Sequence, residues 1–147
     1  MLMKNPLNPL LLDNQLCFAL YSSSHLLTKV YKPLLKAMDL TYPQYLAMLA
    51  LWEEDGVTVG ALGEKLFLDS GTLTPLLKRM EVAGLLKRAR NGSDERQVFI
   101  ELTDKGRTLK RAAAQVPAKA AAATGLGVLE LIKLRKQLHK LQAGLAE

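Results

Sequence analysis

The stretch SGTLTPLLKRMEVAGLLKRARNGSDERQVFIELTDKG, Ser70 to Gly106, decides the fold. Its first part sets Leu73, Leu76, Leu77 and Met80 at i, i+3, i+4 and i+7, one apolar face of an α-helix. Asp69 or Ser70 supplies the N-cap and Gly84 the stop. Two strand-like runs follow, Leu85 to Arg90 and Gln97 to Thr103; in the second, Val98, Ile100 and Leu102 alternate with polar neighbours. Asn91, Gly92, Ser93 and Asp94 between them are turn residues. Just upstream, Thr58 caps a short helix containing Leu62 and Leu66, joined to Ser70 by the few residues around Phe67–Asp69. Two short helices across a tight turn, followed by a basic hairpin, make a winged helix-turn-helix.

Working outward, Asp13 is a good N-cap for a helix running to about Met38, with Leu16, Leu20, Leu27, Val30 and Leu34 near helical spacing and Pro33 placed to bend or restart it. Thr41 and Pro43 open a second helix through Tyr45, Leu46, Leu49 and Trp52. Downstream, Thr103 caps a helix to about Val116. The Ala-rich stretch from Pro117 to Gly127 reads either as a joint or as continuing helix, and an amphipathic helix spans about Val128 to Leu145. The expected fold is a single domain over residues 1–147, mainly α with a small β wing. Its DNA-binding core covers about 41–103. The helices at about 13–38 and 104–145 have no place in so small a core, so they are expected to hold a homodimer together.

The chain has 147 residues, 49% of them hydrophobic, and a net charge of +6. Residues 1–66 carry 5 basic and 6 acidic groups, 67–111 carry 10 and 6, and 112–147 carry 5 and 2. The positive charge thus falls on and after the helix-turn-helix, as nucleic-acid binding requires without proving it. No apolar run is long enough for a membrane span. Asp13, Asn14 and Gln15 interrupt the N-terminal apolar run, so the expected location is cytoplasmic. A single cysteine makes neither an internal disulfide nor a Cys-rich metal site, and His25 and His139 lack ligand spacing. Neither a metal nor a cofactor is expected. No catalytic pairing or phosphate loop is visible, which argues against an enzyme.

On the recognition helix, Ser70, Thr72, Thr74, Lys78 and Arg79 fall on or near the outer face. Small hydroxyls suit base edges in the major groove of double-stranded operator DNA, and the two cations suit phosphates. Pro75 removes one helical N–H near the exposed end. In the wing, Lys87, Arg88 and Arg90 precede the turn and Arg96 follows it, placed to enter a minor groove, with Asp94 or Glu95 beside it to hold the guanidinium. Alone, the helix reads equally well as an amphipathic surface helix, and the wing reads better as a solvated turn of mixed charge; their order and spacing together favour DNA. Cys17 lies in the first turns of the N-terminal helix, where the positive helix end attracts a thiolate. Tyr21 is one turn on, and Tyr31 and Tyr42 are further candidate partners. On chemistry alone, a buried structural cysteine is the leading reading.

Three segments shift that balance. DERQVFIELTDKG, Asp94 to Gly106, resembles the wing of MarR-family bacterial regulators. LDNQLCFALY, Leu12 to Tyr21, with LTYPQYLAMLALWE, Leu40 to Glu53, and LDSGTLTPLLKRME, Leu68 to Glu81, resembles closely the organic-hydroperoxide-resistance repressors within that family. The resemblance covers about residues 12 to 106 and weakens beyond Lys110. It implies a dimer of winged-helix subunits whose sensor cysteine matches Cys17 and whose tyrosine partners, some from the opposite subunit, match Tyr21, Tyr31 and Tyr42. It further implies that organic hydroperoxides oxidise the thiol and DNA is released. With no second cysteine, this chain looks like the one-cysteine kind, which completes its switch with a small thiol in a mixed disulfide or by further oxidation. Two other readings stand beside it. One is a repressor of the same fold that binds a small aromatic molecule in a dimer pocket, with Cys17 structural. The other is an architectural helical module with a basic face.

Overall fold

The computed structural model describes the backbone of residues 5–91 and 94–146, and the side chains of these except residues 91, 94 and 95. In chain order come α1 (Leu16–Leu35), α2 (Tyr42–Glu53), β1 (Val57–Thr58), α3 (Val59–Leu66), α4 (Ser70–Val82), β2 (Leu86–Asn91), β3 (Asp94–Leu102), α5 (Asp104–Ala113), α6 (Val116–Ala123) and α7 (Val128–Leu145). The strands form one antiparallel sheet in the order β1-β3-β2.

α2 starts with a complete capping box. The Thr41 hydroxyl accepts from the Gln44 N–H, the Gln44 side chain accepts from the Thr41 N–H, and Pro43 sits where no N–H is needed. Thr58, Asp69 and Thr103 cap α3, α4 and α5 more simply, each side chain accepting from the backbone N–H three residues on. α4 ends at Gly84, whose φ of +77° lets the Leu85 N–H bond back to Met80 at 3.0 Å. The helical face expected from the sequence is the one buried: Leu73, Leu76, Leu77 and Met80 are at most 4% exposed. They meet Leu35, Met48, Leu51, Leu62, Leu86 and Ile100 in the core. Each such burial contributes roughly 2 kcal/mol.

Two sequence expectations are corrected here. Asp13 does not cap α1. It lies in a 3₁₀ turn, Leu12–Asn14, and Gln15 is extended, so α1 begins at Leu16. The Asn14 side chain donates to the carbonyls of Asn5 and Asn8, which holds the preceding segment in turns instead of helix. The α1 helix also runs through Pro33 to Leu35 without restarting, then tightens to a 3₁₀ turn, Lys36–Met38. The Ala-rich stretch left open above is a separate helix, α6, with Pro117 in its first turn.

One strand was not anticipated. β1 is only two residues long and pairs Val57 with Ile100 and Thr58 with Phe99. Its loop is pinned by Asp55, whose Oδ1 accepts from the Leu102 N–H at 2.9 Å and from the Gly56 N–H at 2.8 Å. Nearby, the Trp52 indole N–H donates to the Gly106 carbonyl at 2.9 Å, tying α2 to α5. Gly106 is needed there, because a Cβ would stand 2.2 Å from the Leu85 carbonyl oxygen.

Candidate DNA interface and thiol site

α3 and α4 join through Phe67 and Leu68. Phe67 adopts a left-handed φ of +56°, and the Leu68 N–H returns to Gly63 at 2.9 Å, which turns the chain sharply. The Asp69 side chain then accepts from the Thr72 N–H at 2.8 Å and starts α4. With one face of α4 in the core, the opposite ridge is Gly71, Pro75, Lys78 and Val82, all exposed. Thr72 and Arg79 flank that ridge on one side and are exposed; Thr74 flanks it on the other and is half-buried. Ser70 is exposed at the helix start. The five residues expected on the outer face therefore lie together on one surface. Gly71, Pro75 and Val82 complete it, small or apolar groups of the kind that meet thymine methyls.

The wing continues this surface. Arg90 and Arg96 are exposed, and Lys87 is exposed with a long 3.8 Å approach to Glu101. Arg88 differs. It is half-buried, and its Nη2 donates to Glu81 Oε1 at 3.2 Å. Gly92 and Ser93 of the expected turn, and the side chain of Asp94 expected to brace Arg96, lie outside the described residues.

Cys17 is free and exposed, so within one subunit it is not a buried structural residue. Because α1 starts at Leu16, Cys17 is the second residue of the helix, nearer the positive end than the sequence implied. The side chain of its N-cap residue, Gln15, makes no capping hydrogen bond. Tyr21 is one turn on and exposed, its ring edge-on to His25 at 4.3 Å between centroids. Tyr31 and Tyr42 pack against each other at 4.7 Å, and Tyr45, which the sequence did not single out, closes the cluster at 5.7 Å from Tyr31 and 6.4 Å from Tyr42. Burial raises all three phenols above their ordinary value of 10.0; the Tyr31 charge adds to this for Tyr42 and Tyr45. Helical rise puts Tyr31 about 21 Å along α1 from Cys17. The tyrosine cluster cannot reach the thiol of its own chain; any contact must come from a second subunit. Beside Tyr42 a groove of about 730 Å³ opens between α1 and α2, bordered by Lys29, Lys32, Pro33, Leu40 and Pro43.

Among the described residues no group of His, Cys, Asp and Glu is placed to hold a metal ion, and no helix is long and apolar enough to cross a membrane. α1 and α7 instead carry exposed apolar side chains: Leu16, Leu26, Val128, Leu129 and Leu145 are all more than half exposed.

Residues 29–113 match the family described as transcriptional regulator SarA/Rot. The chain is 49% identical over 139 residues to the organic hydroperoxide resistance transcriptional regulator of Bacillus subtilis, covering 95% of each. Among solved structures it is similar to reduced AbfR bound to DNA, with 40% identity, a TM-score of 0.77, and coverage of 92% of this chain and 95% of that one. It is also similar to overoxidized AbfR bound to DNA, at 40% identity and a TM-score of 0.75 over 91% and 94%. AbfR is a protein of Staphylococcus epidermidis.

Proposed function

The chain belongs to the SarA/Rot-type group of MarR-family winged-helix transcriptional regulators, and from that premise we propose that it is a redox-sensing repressor switched at Cys17. As a reduced homodimer it binds operator DNA; organic hydroperoxides oxidise Cys17 and release it. The observation that carries this reading is the lone cysteine, exposed in the first turn of α1, in a chain 49% identical to an organic hydroperoxide resistance regulator.

The chemistry is short. The Cys17 thiolate attacks the terminal, hydrogen-bearing oxygen of the hydroperoxide and the O–O bond breaks. Sulfur is oxidised to the sulfenic acid, and the other oxygen leaves as an alcohol after taking a proton. A small thiol then condenses with the sulfenic acid, forming a mixed disulfide and water. The two AbfR structures bear on which product releases DNA, since that relative is bound to DNA both reduced and overoxidized. A bulky thiol adduct disturbs a packed dimer more than an added oxygen does. Tyr31 and Tyr42 lie in a cluster that only the thiol of a partner subunit reaches, and the groove beside Tyr42 offers that helix end a seat.

The apolar faces of α1 and α7 support the dimer. In it the two α4 helices would read half-sites about one DNA turn apart, through Ser70, Thr72 and Thr74 to bases and Lys78, Arg79 and Arg96 to phosphates and the minor groove. The same groove also supports a second reading, release by a small aromatic anion near Lys29 and Lys32.

A gel shift on the DNA upstream of the chain's own gene separates the two. Cumene hydroperoxide with a small thiol is expected to abolish the shifted band while mass spectrometry finds the adduct on Cys17. Retention of the band on a fully modified protein would overturn the redox reading, and release by an aromatic acid with unmodified Cys17 would favour the second.

A further inference from the structure

Arg88 sits on β2, the strand at the open edge of the sheet, opposite Ile100. An edge strand presents N–H groups with no strand to receive them. Here the Arg88 N–H donates to Glu81 Oε2 at 3.0 Å, and the Arg88 guanidinium donates to Glu81 Oε1 at 3.2 Å. One carboxylate on the last turns of the recognition helix thus grips both the backbone and the side chain of the wing's first strand. The only covalent link between the two elements is the short turn of Ala83, Gly84 and Leu85. Arg88 Nε is buried and has no hydrogen-bond partner among the described residues. A guanidinium binds phosphate through two parallel N–H groups. With Nη2 on Glu81 and Nε buried, the fork that these two nitrogens share is not open to DNA. Arg90, two residues on, is exposed.

We propose that Glu81 and Arg88 form a clamp that sets the angle between recognition helix and wing, so that Arg88 serves operator binding as a positioning residue and not as a phosphate ligand. This rests on the reading that α4 and the wing together bind DNA. The hydrogen bonds from the Arg88 backbone and side chain hold the Glu81 carboxyl below its ordinary value, so the clamp is charged throughout the neutral range.

The two roles differ in the sign of one substitution. Glu81→Gln removes a negative charge from the DNA side of the molecule. If Arg88 is a phosphate ligand, losing its competitor must tighten operator binding. If the pair is a clamp, binding must weaken despite the gained charge, by about tenfold. The experiment measures operator affinity of the full chain, Glu81→Gln, Arg88→Lys, their double variant and Arg88→Ala across a range of salt. The clamp predicts weaker binding in each single variant, a double variant no weaker than the worse single one, and a log K against log salt slope equal to that of the parent. Tighter binding by Glu81→Gln overturns it, as does a slope lower by about 0.9 in an Arg88→Ala protein, the signature of one lost phosphate contact. Hydrogen exchange in the free protein guards against a folding defect: the Arg88 amide is expected to exchange at least about tenfold faster in Glu81→Gln while core amides are unchanged. An unchanged Arg88 amide overturns the clamp. If the parent chain shows no sequence preference, the DNA reading itself fails, which the variants do not decide.

Discussion

At the scale of single residues, position along a helix and close approach matter most. Cys17 was legible as a candidate from its place near a helix start. Its seat at the second helical residue was not, because a 3₁₀ turn and an extended Gln15 look like helix in the sequence pattern. Tyr45 was missed for a similar reason. It reads as an ordinary core position of α2, and only the fold brings its ring to Tyr31 and Tyr42. Gly106 gave no signal either, since its constraint is a carbonyl from 21 residues earlier in the chain. Gly106→Ala is expected to destabilise the protein by about 3 kcal/mol, because backbone atoms must shift to admit the methyl; the midpoint of urea unfolding measures it, and a loss under about 1 kcal/mol would contradict the contact. The tyrosines make a pH prediction. Their folded values are raised above 10.0, so the protonated cluster stabilises the fold at lower pH, and that contribution is lost as pH rises through the folded values. Parent protein should therefore lose more stability above pH 10 than Tyr42→Phe does. Parallel loss in both would show that the cluster is not desolvated.

At the scale of elements, α4 and the wing strands were readable because each has a strong period and a chemical stop: 3.6 residues ending at Gly84, then 2 residues across Val98, Ile100 and Leu102. The span of α7 was read correctly on the same ground. A two-residue strand such as β1 has no period to read, and its existence depends on Asp55 and on β3. Neither the Glu81–Arg88 pair nor the Trp52–Gly106 bond was visible, as both join elements whose angle the sequence does not state. The division of labour on α4 can be tested. Thr72→Ala and Thr74→Ala are expected to lower affinity for the operator more than for random DNA, narrowing the specificity ratio by about tenfold per site. Lys78→Ala should lower both equally and reduce the salt slope. Equal losses on specific and random DNA for the threonine variants would remove them from base reading.

For the whole molecule, the distribution of exposed apolar side chains is decisive. Leu16, Leu26, Val128, Leu129 and Leu145 are turned outward on α1 and α7, the faces that the proposed dimer would cover. Sedimentation at low micromolar concentration should give the mass of a dimer, and a monomer there would leave those faces unexplained and the tyrosine cluster out of reach of any thiol. In the proposed dimer, oxidation at one helix end and release at two distant recognition helices would be one event: a change in subunit packing that moves the half-site readers out of register. The most direct test is operator binding by Cys17→Ser. Serine is nearly isosteric with cysteine, and its hydroxyl neither ionises near neutral pH nor climbs the sulfur oxidation ladder. The substituted protein should bind the operator as tightly as the parent and stay bound at an organic hydroperoxide dose, with a small thiol present, that releases the parent completely. Release of the Cys17→Ser protein at that same dose would contradict the account.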